Sequence, residues 1–297
     1  MSSAAAPAAP VQTGSRPWLP LTAALVSVGL WASAFVGIRA AGRSFSSGAL
    51  GLGRLTVGTL ALGALALTRP LVRPTRREWL LLLVAGISWL GLYNIVLNEA
   101  ERRVDAGTAA MLVNIGPILI FAFAAAFLKE KLTRVVGVGG TIAFAGMLII
   151  GFATTSGHAP LSGVILCVLA ALGYAAGVVA QKPVLRHLPA AQVAWLSCVI
   201  GAVVCLPYVA VLGRELPLAR ATDIAWMVYL GVFPTAIGFT TWGYALARGS
   251  AGRLAATTYL VPPTVILMSW AILGELPSAL AVVGGLICLV GSGDRAA

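Results

Sequence analysis

The chain has 297 residues, of which 59% are hydrophobic and only 10% are charged, and its mean hydropathy is +0.96. A soluble domain carries about 25% charged residues, so this composition excludes a water-exposed globular surface and indicates that lipid surrounds the protein. The net charge of +11 lies mainly in short gaps between apolar runs. That pattern is typical of membrane topology and lipid-headgroup contact and does not favour a nucleic-acid partner.

Ten apolar runs follow a short N-terminal segment. Residues 1–17 are rich in alanine, proline and serine and are expected to form a disordered cytoplasmic tail. A membrane-spanning helix needs roughly 20 apolar residues, and the runs approach or reach this length, although the last is shorter. The predicted spans are Leu19–Ile38, Gly48–Leu67, Trp79–Leu97, Gly107–Leu128, Val135–Phe152, Leu161–Ala180, Ala191–Leu212, Ile224–Ala245, Leu254–Leu273 and Ala279–Val290.

The distribution of lysine and arginine predicts the orientation. With a cytoplasmic N-terminus, the inner side holds thirteen basic residues and the outer side holds six. Basic residues are enriched on the cytoplasmic side of membrane proteins. We therefore expect a multi-pass protein of the plasma (inner) membrane with both termini in the cytoplasm.

The second half of the chain repeats the first. The fourth and ninth spans match at an offset of 145 residues, and the first and sixth match at an offset of 143. The matched pairs include Ala106 with Ala251, Gly107 with Gly252, Pro117 with Pro262, Glu130 with Glu275, Trp31 with Tyr174, and Arg39 with Lys182. Each copy has five spans, and because five is odd, the second copy must cross the bilayer in the opposite direction.

The predicted fold is therefore an all-α integral membrane protein with ten transmembrane helices in two inverted five-helix repeats. The first repeat is expected at residues 18–153 and the second at residues 160–293. Transporters use this arrangement because the two halves can open alternately to either side of a central site.

The doubled pattern resembles the EamA-type transporters of the drug/metabolite transporter superfamily. The resemblance covers roughly residues 19–293 and rests on Trp31-Ala32-Ser33-Ala34-Phe35, on Arg54, and on Ala100…Ala106-Gly107…Ala109-Ala110…Pro117…Glu130 with its echo Ala245…Ala251-Gly252…Ala255…Pro262…Glu275. It implies a bacterial exporter of metabolites or drugs with cytoplasmic termini. Small amphipathic metabolites and amino acids suit the polar and aromatic residues described below.

Other function classes need features that the sequence does not carry. A membrane-embedded enzyme would need clustered catalytic groups, and both histidines lie in loops. The four cysteines lie inside apolar runs without a CxxC pair, so no metal, cofactor or enzymatic activity is predicted. A scaffold or sensor, the other alternative, usually carries a sizeable soluble domain. The absence of a GxxxxGK[ST] motif argues against direct ATP coupling.

Polar residues inside spans are candidates for the substrate pathway, because a charge at a span centre costs ~2.5–3.5 kcal/mol. Arg54 lies inside the second span, where it either attracts an anionic group, pairs with an acid such as Glu99, or reaches the outer headgroups. Asn94 and Asn98 share a helix face. With Glu99 they either meet substrate near the outer side or form a solvated helix end.

Prolines near the span centres predict two matching helix breaks. Asn114 and Pro117 in the fourth span correspond to Tyr259 and Pro262 in the ninth. A proline removes a backbone donor and leaves carbonyl groups that either line a cavity or merely mark a packing kink.

The remaining candidates are aromatic, amide and acidic side chains. Five of them are expected to line the pathway or to pack: Trp31, Tyr174, Gln181, Trp242 and Tyr244. Glu130 and Glu275 are predicted to be structural caps at helix N-termini. The fifth and tenth spans carry small residues that favour close helix contact, either as scaffold or in a homodimer.

Overall fold

Eight long helices form the part of the chain that the structure describes. The computed structural model describes residues 18–130 except 69 and 105, residues 160–273, and isolated positions between 138 and 149 and between 283 and 287. Within these residues there are helices and turns but no strand. The eight helices are long and apolar enough to cross a membrane: α1 (Trp18–Ala41), α2 (Ser47–Ala66), α3 (Arg76–Ala100), α4 (Ala106–Leu128), α5 (Leu161–Val184), α6 (Ala190–Leu218), α7 (Ala221–Arg248) and α8 (Ala251–Ile272).

These helices correspond to the first four and the sixth to ninth predicted spans. The protein is therefore an all-helical, multi-pass membrane protein. The tail at 1–17, Glu275 and most of the predicted fifth and tenth spans lie outside the described residues. The proposed dimer surface on those two spans consequently remains a prediction.

Two helix boundaries differ from the predicted ones for identifiable reasons. Helix α3 begins at Arg76 because Thr75 and Glu78 form a capping box, in which each side chain accepts a hydrogen bond from the other residue's backbone N–H. Helix α6 continues beyond Leu212 to Leu218. The helix contains two tight 3-10 turns, each with a proline near its start. The first, Leu206–Tyr208, lies before Leu212, and the second, Leu216–Leu218, ends the helix.

The chain connections define two opposite ends of the helix bundle. At one end, Arg102 donates to the carbonyl of Gly42 and Ser46 binds the Glu215 carboxylate, so the α1–α2, α3–α4 and α6–α7 connections lie together. At the other end, the Val72 backbone exchanges two hydrogen bonds with the Gln192 side chain. We call these the Arg39 end and the Lys182 end. Helix α1 ends at the first, whereas its counterpart α5 ends at the second.

Contacts between the first four and the last four helices occur in matched pairs. Helix α1 packs against α7 and α8, and its counterpart α5 packs against α3 and α4. Likewise α2 packs against α7, and α6 packs against α3. Two further contacts join counterparts directly, α2 with α6 and α4 with α8. The packing therefore has approximate two-fold symmetry within the described residues.

Four departures from α-helical geometry recur at the same offset. Helices α3 and α7 each contain a π-helical turn, Gly86–Leu92 and Gly231–Ile237, which lie 145 residues apart. Helix α4 is interrupted by a turn at Asn114–Ile115, and α8 by the 3-10 segment Ala256–Leu260. The breaks expected near Pro117 and Pro262 are therefore present, whereas the sequence analysis did not anticipate the π turns.

Matched glycines allow α2 and α6 to approach the π turns closely. A Cβ atom on Gly58 would lie 2.7 Å from Cγ2 of Thr235, and one on Gly201 would lie 2.6 Å from Cβ of Leu90. Thr235 and Leu90 occupy equivalent positions in the two π turns. Real Cβ contacts are longer than this, so any larger residue would force the helices apart.

At each end of the bundle, a basic side chain donates hydrogen bonds to backbone carbonyl groups at the end of a helix. Arg39 donates to the carbonyls of Glu101 and Val104 at the end of α3. Lys182 donates to the carbonyls of Leu246 and Gly249 at the end of α7. The partners correspond between the two halves. Arg39 and Lys182 lie 143 residues apart, and the carbonyl groups of Glu101 and Val104 lie 145 residues before those of Leu246 and Gly249. A cation at a helix C-terminus is stabilised by the unpaired carbonyls there. We call these contacts the Arg39 latch and the Lys182 latch.

Candidate functional site

A cavity lies at the centre of the bundle, and seven of the eight helices contribute to its wall. Its volume, counted as the space open to the centre of a water molecule, is about 50 Å³. The wall is mostly apolar and aromatic, and its polar side chains come from α2, α3, α4, α5 and α8: Arg54, Tyr93, Asn114, Tyr174 and Thr258. Concave apolar sites with a few placed polar groups are typical of small-molecule binding.

Each of the four helix interruptions contributes to this site. Trp89 comes from the π turn of α3, Asn114 from the break in α4, and Thr258 from the 3-10 segment of α8. The π turn of α7 contributes through its backbone, because the Pro234 carbonyl accepts a hydrogen bond at 3.2 Å from Trp31, which lines the cavity. π turns and helix breaks often occur at functional sites, since they re-aim side chains and free carbonyl groups.

Aromatic rings form one continuous group around Trp31. The ring centroid of Trp31 lies 5.7 Å from that of Trp89, 5.5 Å from that of Phe239 and 4.8 Å from that of Trp242. Tyr174 is in contact with the same group, 5.2 Å from Trp89. Tilted and edge-to-face contacts at these distances are favourable and hold the rings in place.

Arg54 is the charged residue in the wall of the central cavity. Its side chain is 4% exposed, and its Nε donates to Thr235 Oγ1 at 2.9 Å. Thr235 in turn donates to the Leu230 carbonyl at 2.8 Å inside the π turn. The guanidinium group is thus oriented by α7, although it belongs to α2.

Asn114 presents an amide to the cavity at the break in α4. Its Nδ2 donates to the Ala110 carbonyl at 2.8 Å, which also accepts a hydrogen bond from the Asn114 backbone N–H at 3.2 Å. This bond fixes the side chain so that it remains in the cavity wall at 5% exposure.

Two further cavities lie at the ends of the bundle. The one at the Arg39 end is lined by Arg39, Arg43, Asn98 and Arg102, among others, and it shares Ile38 with the central cavity. The one at the Lys182 end is lined by Gln192 and Tyr244 and shares no lining residue with the central cavity. The central cavity is thus separated by a thinner wall from the Arg39 end.

The predicted third-span residues lie in three different environments. Asn94 is buried, and its Nδ2 donates to the Leu90 carbonyl without reaching the central cavity. Asn98 donates to the Ser47 carbonyl and lines the cavity at the Arg39 end. Glu99 accepts from Ser47 at 2.7 Å and pairs with Arg103 at 2.8 Å. It therefore bonds to groups other than Arg54.

The other predicted residues lie around the cavity and not in its wall. Four of them are buried, namely Pro117, Gln181, Tyr259 and Pro262. Trp242 packs against the ring of Trp31, with their centroids 4.8 Å apart. Tyr244 lies under the Arg248 guanidinium, 3.6 Å from the ring centroid, at the Lys182 end.

Glu130 contacts a helix of the other half of the chain. Its carboxylate accepts from the backbone N–H groups of Ala251 and Gly252, at 3.1 and 3.3 Å, at the start of α8.

The structure thus brings Trp31, Arg54, Asn114 and Tyr174 together in one cavity wall. Sequence reasoning missed the other members of that wall, among them Trp89, Tyr93, Phe239 and Thr258. The repeat contains a signal for two of them, because Phe239 and Thr258 follow Asn94 and Val113 by 145 residues.

A central aromatic cavity between two matched sets of membrane helices is the arrangement in which membrane transporters hold their substrate site. Comparison with known proteins then places the chain in a family. The EamA-like transporter family model matches it twice, over residues 18–152 and 161–293, and the protein belongs to this family.

Relatives of the chain are named as transporters. It is 36% identical to the "Probable terminal-alkyne amino-acid exporter" of Streptantibioticus cattleyicolor, over 91% of this chain and 90% of that protein. It is 26% identical to the "Probable amino-acid metabolite efflux pump" of Salmonella typhimurium, over 68% and 71%. A solved crystal structure shares the fold, with a TM-score of 0.76 at 21% identity and coverage of 95% of this chain and 97% of that one.

Proposed function

We propose that the protein is a secondary transporter that exports small metabolites, amino acids or drugs across the inner membrane. The central cavity carries this proposal, because its wall comes from both halves of the chain. Family membership and the names of two relatives, an amino-acid exporter and a metabolite efflux pump, support the substrate range and the direction.

The proposed mechanism is alternating access between two inverted five-helix repeats. The matched helix contacts support it, and so do the equivalent latches at opposite ends. Two such halves can exchange conformations, so that the cavity opens to one side and then to the other. Ten helices would give two complete repeats, with the fifth and tenth supplied by residues beyond the described ranges and both termini in the cytoplasm.

Transport by reconstituted protein tests the proposal. We would measure uptake into proteoliposomes of labelled amino acids, nucleosides and cationic dyes, with Phe239→Leu and Phe127→Leu as a matched pair. Phe239 lines the cavity, whereas Phe127 is 73% exposed on the outside of the bundle. We expect saturable uptake of one class, with a raised KM in Phe239→Leu and unchanged kinetics in Phe127→Leu.

Two results would count against the proposal. A folded protein that gives no saturable flux of any class would contradict transport. Equal kinetics of both variants would contradict the central cavity as the site. In whole cells, expression should lower the internal concentration of the transported compound if the direction is export.

A further inference from the structure

Among the described residues Arg54 forms no direct ion pair, although its charge interacts at longer range with the buried carboxylate of Glu101. The ion pairs found there join Glu99 to Arg102 and Arg103, and Glu78 to His187, and none includes Arg54. All these pairs lie toward the ends of the bundle, whereas Arg54 is in the wall of the central cavity. A buried charge without an ion-pair partner in direct contact is unfavourable, so an anion that enters the cavity and contacts Arg54 would be stabilised there.

The guanidinium group is oriented with its remaining donors free. A guanidinium has five N–H donors, one on Nε and four on its two amino groups. Nε is bonded to Thr235, and within the described part of the chain neither amino group makes a hydrogen bond. Two parallel N–H groups match the two oxygens of a carboxylate. The bond to Thr235 therefore prepares Arg54 for a bidentate contact.

The remainder of the cavity wall suits an uncharged, apolar group. Trp31, Trp89 and Phe239 contribute packed ring surfaces to the same wall. No carboxylate is found among the described residues that line the cavity. A cationic ligand would therefore be repelled by Arg54 and would meet no carboxylate in the cavity lining.

We infer that Arg54 binds the carboxylate of the transported molecule, and that the substrates are carboxylates with an apolar or aromatic body and not organic cations. This inference rests on the proposed transport function, because it assigns a substrate class to the same cavity. A single guanidinium neutralises one negative charge, so a carboxylate fits better than a doubly charged phosphate.

Four probes of similar shape separate these possibilities. In proteoliposomes containing the full chain, we would measure uptake of 3-phenylpropionate, L-phenylalanine, L-phenylalaninamide and phenyl phosphate. We expect uptake of the two carboxylates. Loss of a charge-assisted contact lowers binding by about ten- to a hundred-fold, so kcat/KM for the amide should be lower by about that factor. Phenyl phosphate should also be a poor substrate.

Three variants assign the preference to Arg54. Arg54→Gln should reduce kcat/KM for the carboxylates by about ten- to a hundred-fold and should not reduce that for the amide, whose ammonium group Arg54 repels. Arg54→Lys keeps the charge but not the paired donors and should lie between. Arg214→Gln is the control, since Arg214 is exposed and donates within its own helix, and it should behave like the wild type.

The outcomes separate this inference from the transport function. Equal uptake of phenylalanine and its amide by wild type, uptake of cationic dyes alone, or a retained carboxylate preference in Arg54→Gln would overturn the inference and leave transport intact. If Arg54→Gln does not fold, as judged by size-exclusion chromatography, two other results test the inference. These are the uptake of phenylalanine relative to its amide by the wild type, and the carboxylate preference of Arg54→Lys. No saturable flux of any compound would instead contradict the transport function itself.

Discussion

At the scale of single residues, polar side chains in this protein have two kinds of position. Those at helix ends pair with each other or with backbone groups, as Glu130 does at the start of α8. Those near the bundle centre face the cavity with part of their bonding capacity free, as Arg54 does. The first kind stabilises the fold, and the second is available to a ligand.

Substitution of Glu130 should lower stability without changing the cavity. Its carboxylate satisfies two backbone donors at a helix N-terminus, where a capping group contributes about 0.5–2 kcal/mol and a negative charge about 0.3–1 kcal/mol. We expect Glu130→Ala to lower the free energy of unfolding by about 1–2 kcal/mol, and Glu130→Gln to lower it less. Thermal unfolding of the purified protein in detergent measures both.

The control for this experiment is Glu99→Gln. The Glu99 side chain is 34% exposed in its ion pair with Arg103, and surface ion pairs contribute about 0–1 kcal/mol. A Glu130→Ala protein as stable as wild type would show that the bond to α8 is not stabilising.

The sequence predicted part of the cavity wall, and its failures have a physical cause. Trp31, Arg54 and Tyr174 lie in regular helices, where their position within a span indicates an interior location. Trp89 lies in a π turn, and Phe239 lies just after one. A π turn adds a residue to one turn and rotates the following face, so ordinary helical periodicity assigns these side chains to the wrong direction.

At the scale of helices, the two π turns depend on close contact with α2 and α6. Sequence periodicity predicted eight helices that the structure describes, because long apolar runs are a strong signal. It could not predict the π turns, because they result from packing against a neighbouring helix. The repeated Gly58 and Gly201 were visible as matched residues, but their role as contact points is evident only in the structure.

Alanine at either glycine should disturb both helices at that crossing. Because the added Cβ would lie within 2.7 Å of Thr235 or 2.6 Å of Leu90, we expect Gly58→Ala and Gly201→Ala each to cost about 1–3 kcal/mol. Gly58→Ala should also reduce transport more strongly, because Thr235 orients Arg54. Thermal unfolding and uptake assays measure the two effects.

Gly29→Ala is the matched control, since a Cβ atom there would meet nothing within 4 Å. Alanine is a better helix former than glycine by about 0.8–1.0 kcal/mol, so Gly29→Ala should be neutral or stabilising. Similar losses in all three variants would show that the contacts with the π turns are not special.

At the scale of the whole molecule, the two latches should act in opposite directions. The Arg39 latch joins α1 to the end of α3, and the Lys182 latch joins α5 to the end of α7, at opposite ends of the bundle. Because α1 packs against α7 and α8, and α5 packs against α3 and α4, each latch connects these two groups of helices. If these two groups move relative to each other during alternating access, then removing one latch should favour opening at that end at the expense of the other.

Cysteine accessibility measures this balance. In a chain without its native cysteines, Leu97→Cys places a thiol in the wall of the central cavity. In the predicted topology, with a cytoplasmic N-terminus, the Arg39 end faces the outside. We therefore expect Arg39→Gln to raise the rate at which a membrane-impermeant maleimide added outside labels this thiol, by up to about ten-fold. Lys182→Gln should lower that rate, and Arg214→Gln should not change it. A change in the same direction for both latch variants would contradict the alternating model.

The direct contacts between counterpart helices, α2 with α6 and α4 with α8, also bear on the evolutionary origin of the chain. A two-fold axis brings each surface next to its own copy, which is the arrangement found in pairs of identical subunits. One polypeptide thus preserves the interface that two identical half-length chains would form. The present gene is accordingly what duplication and fusion of a half-length ancestor would produce, and its matched residues lie 143 or 145 positions apart.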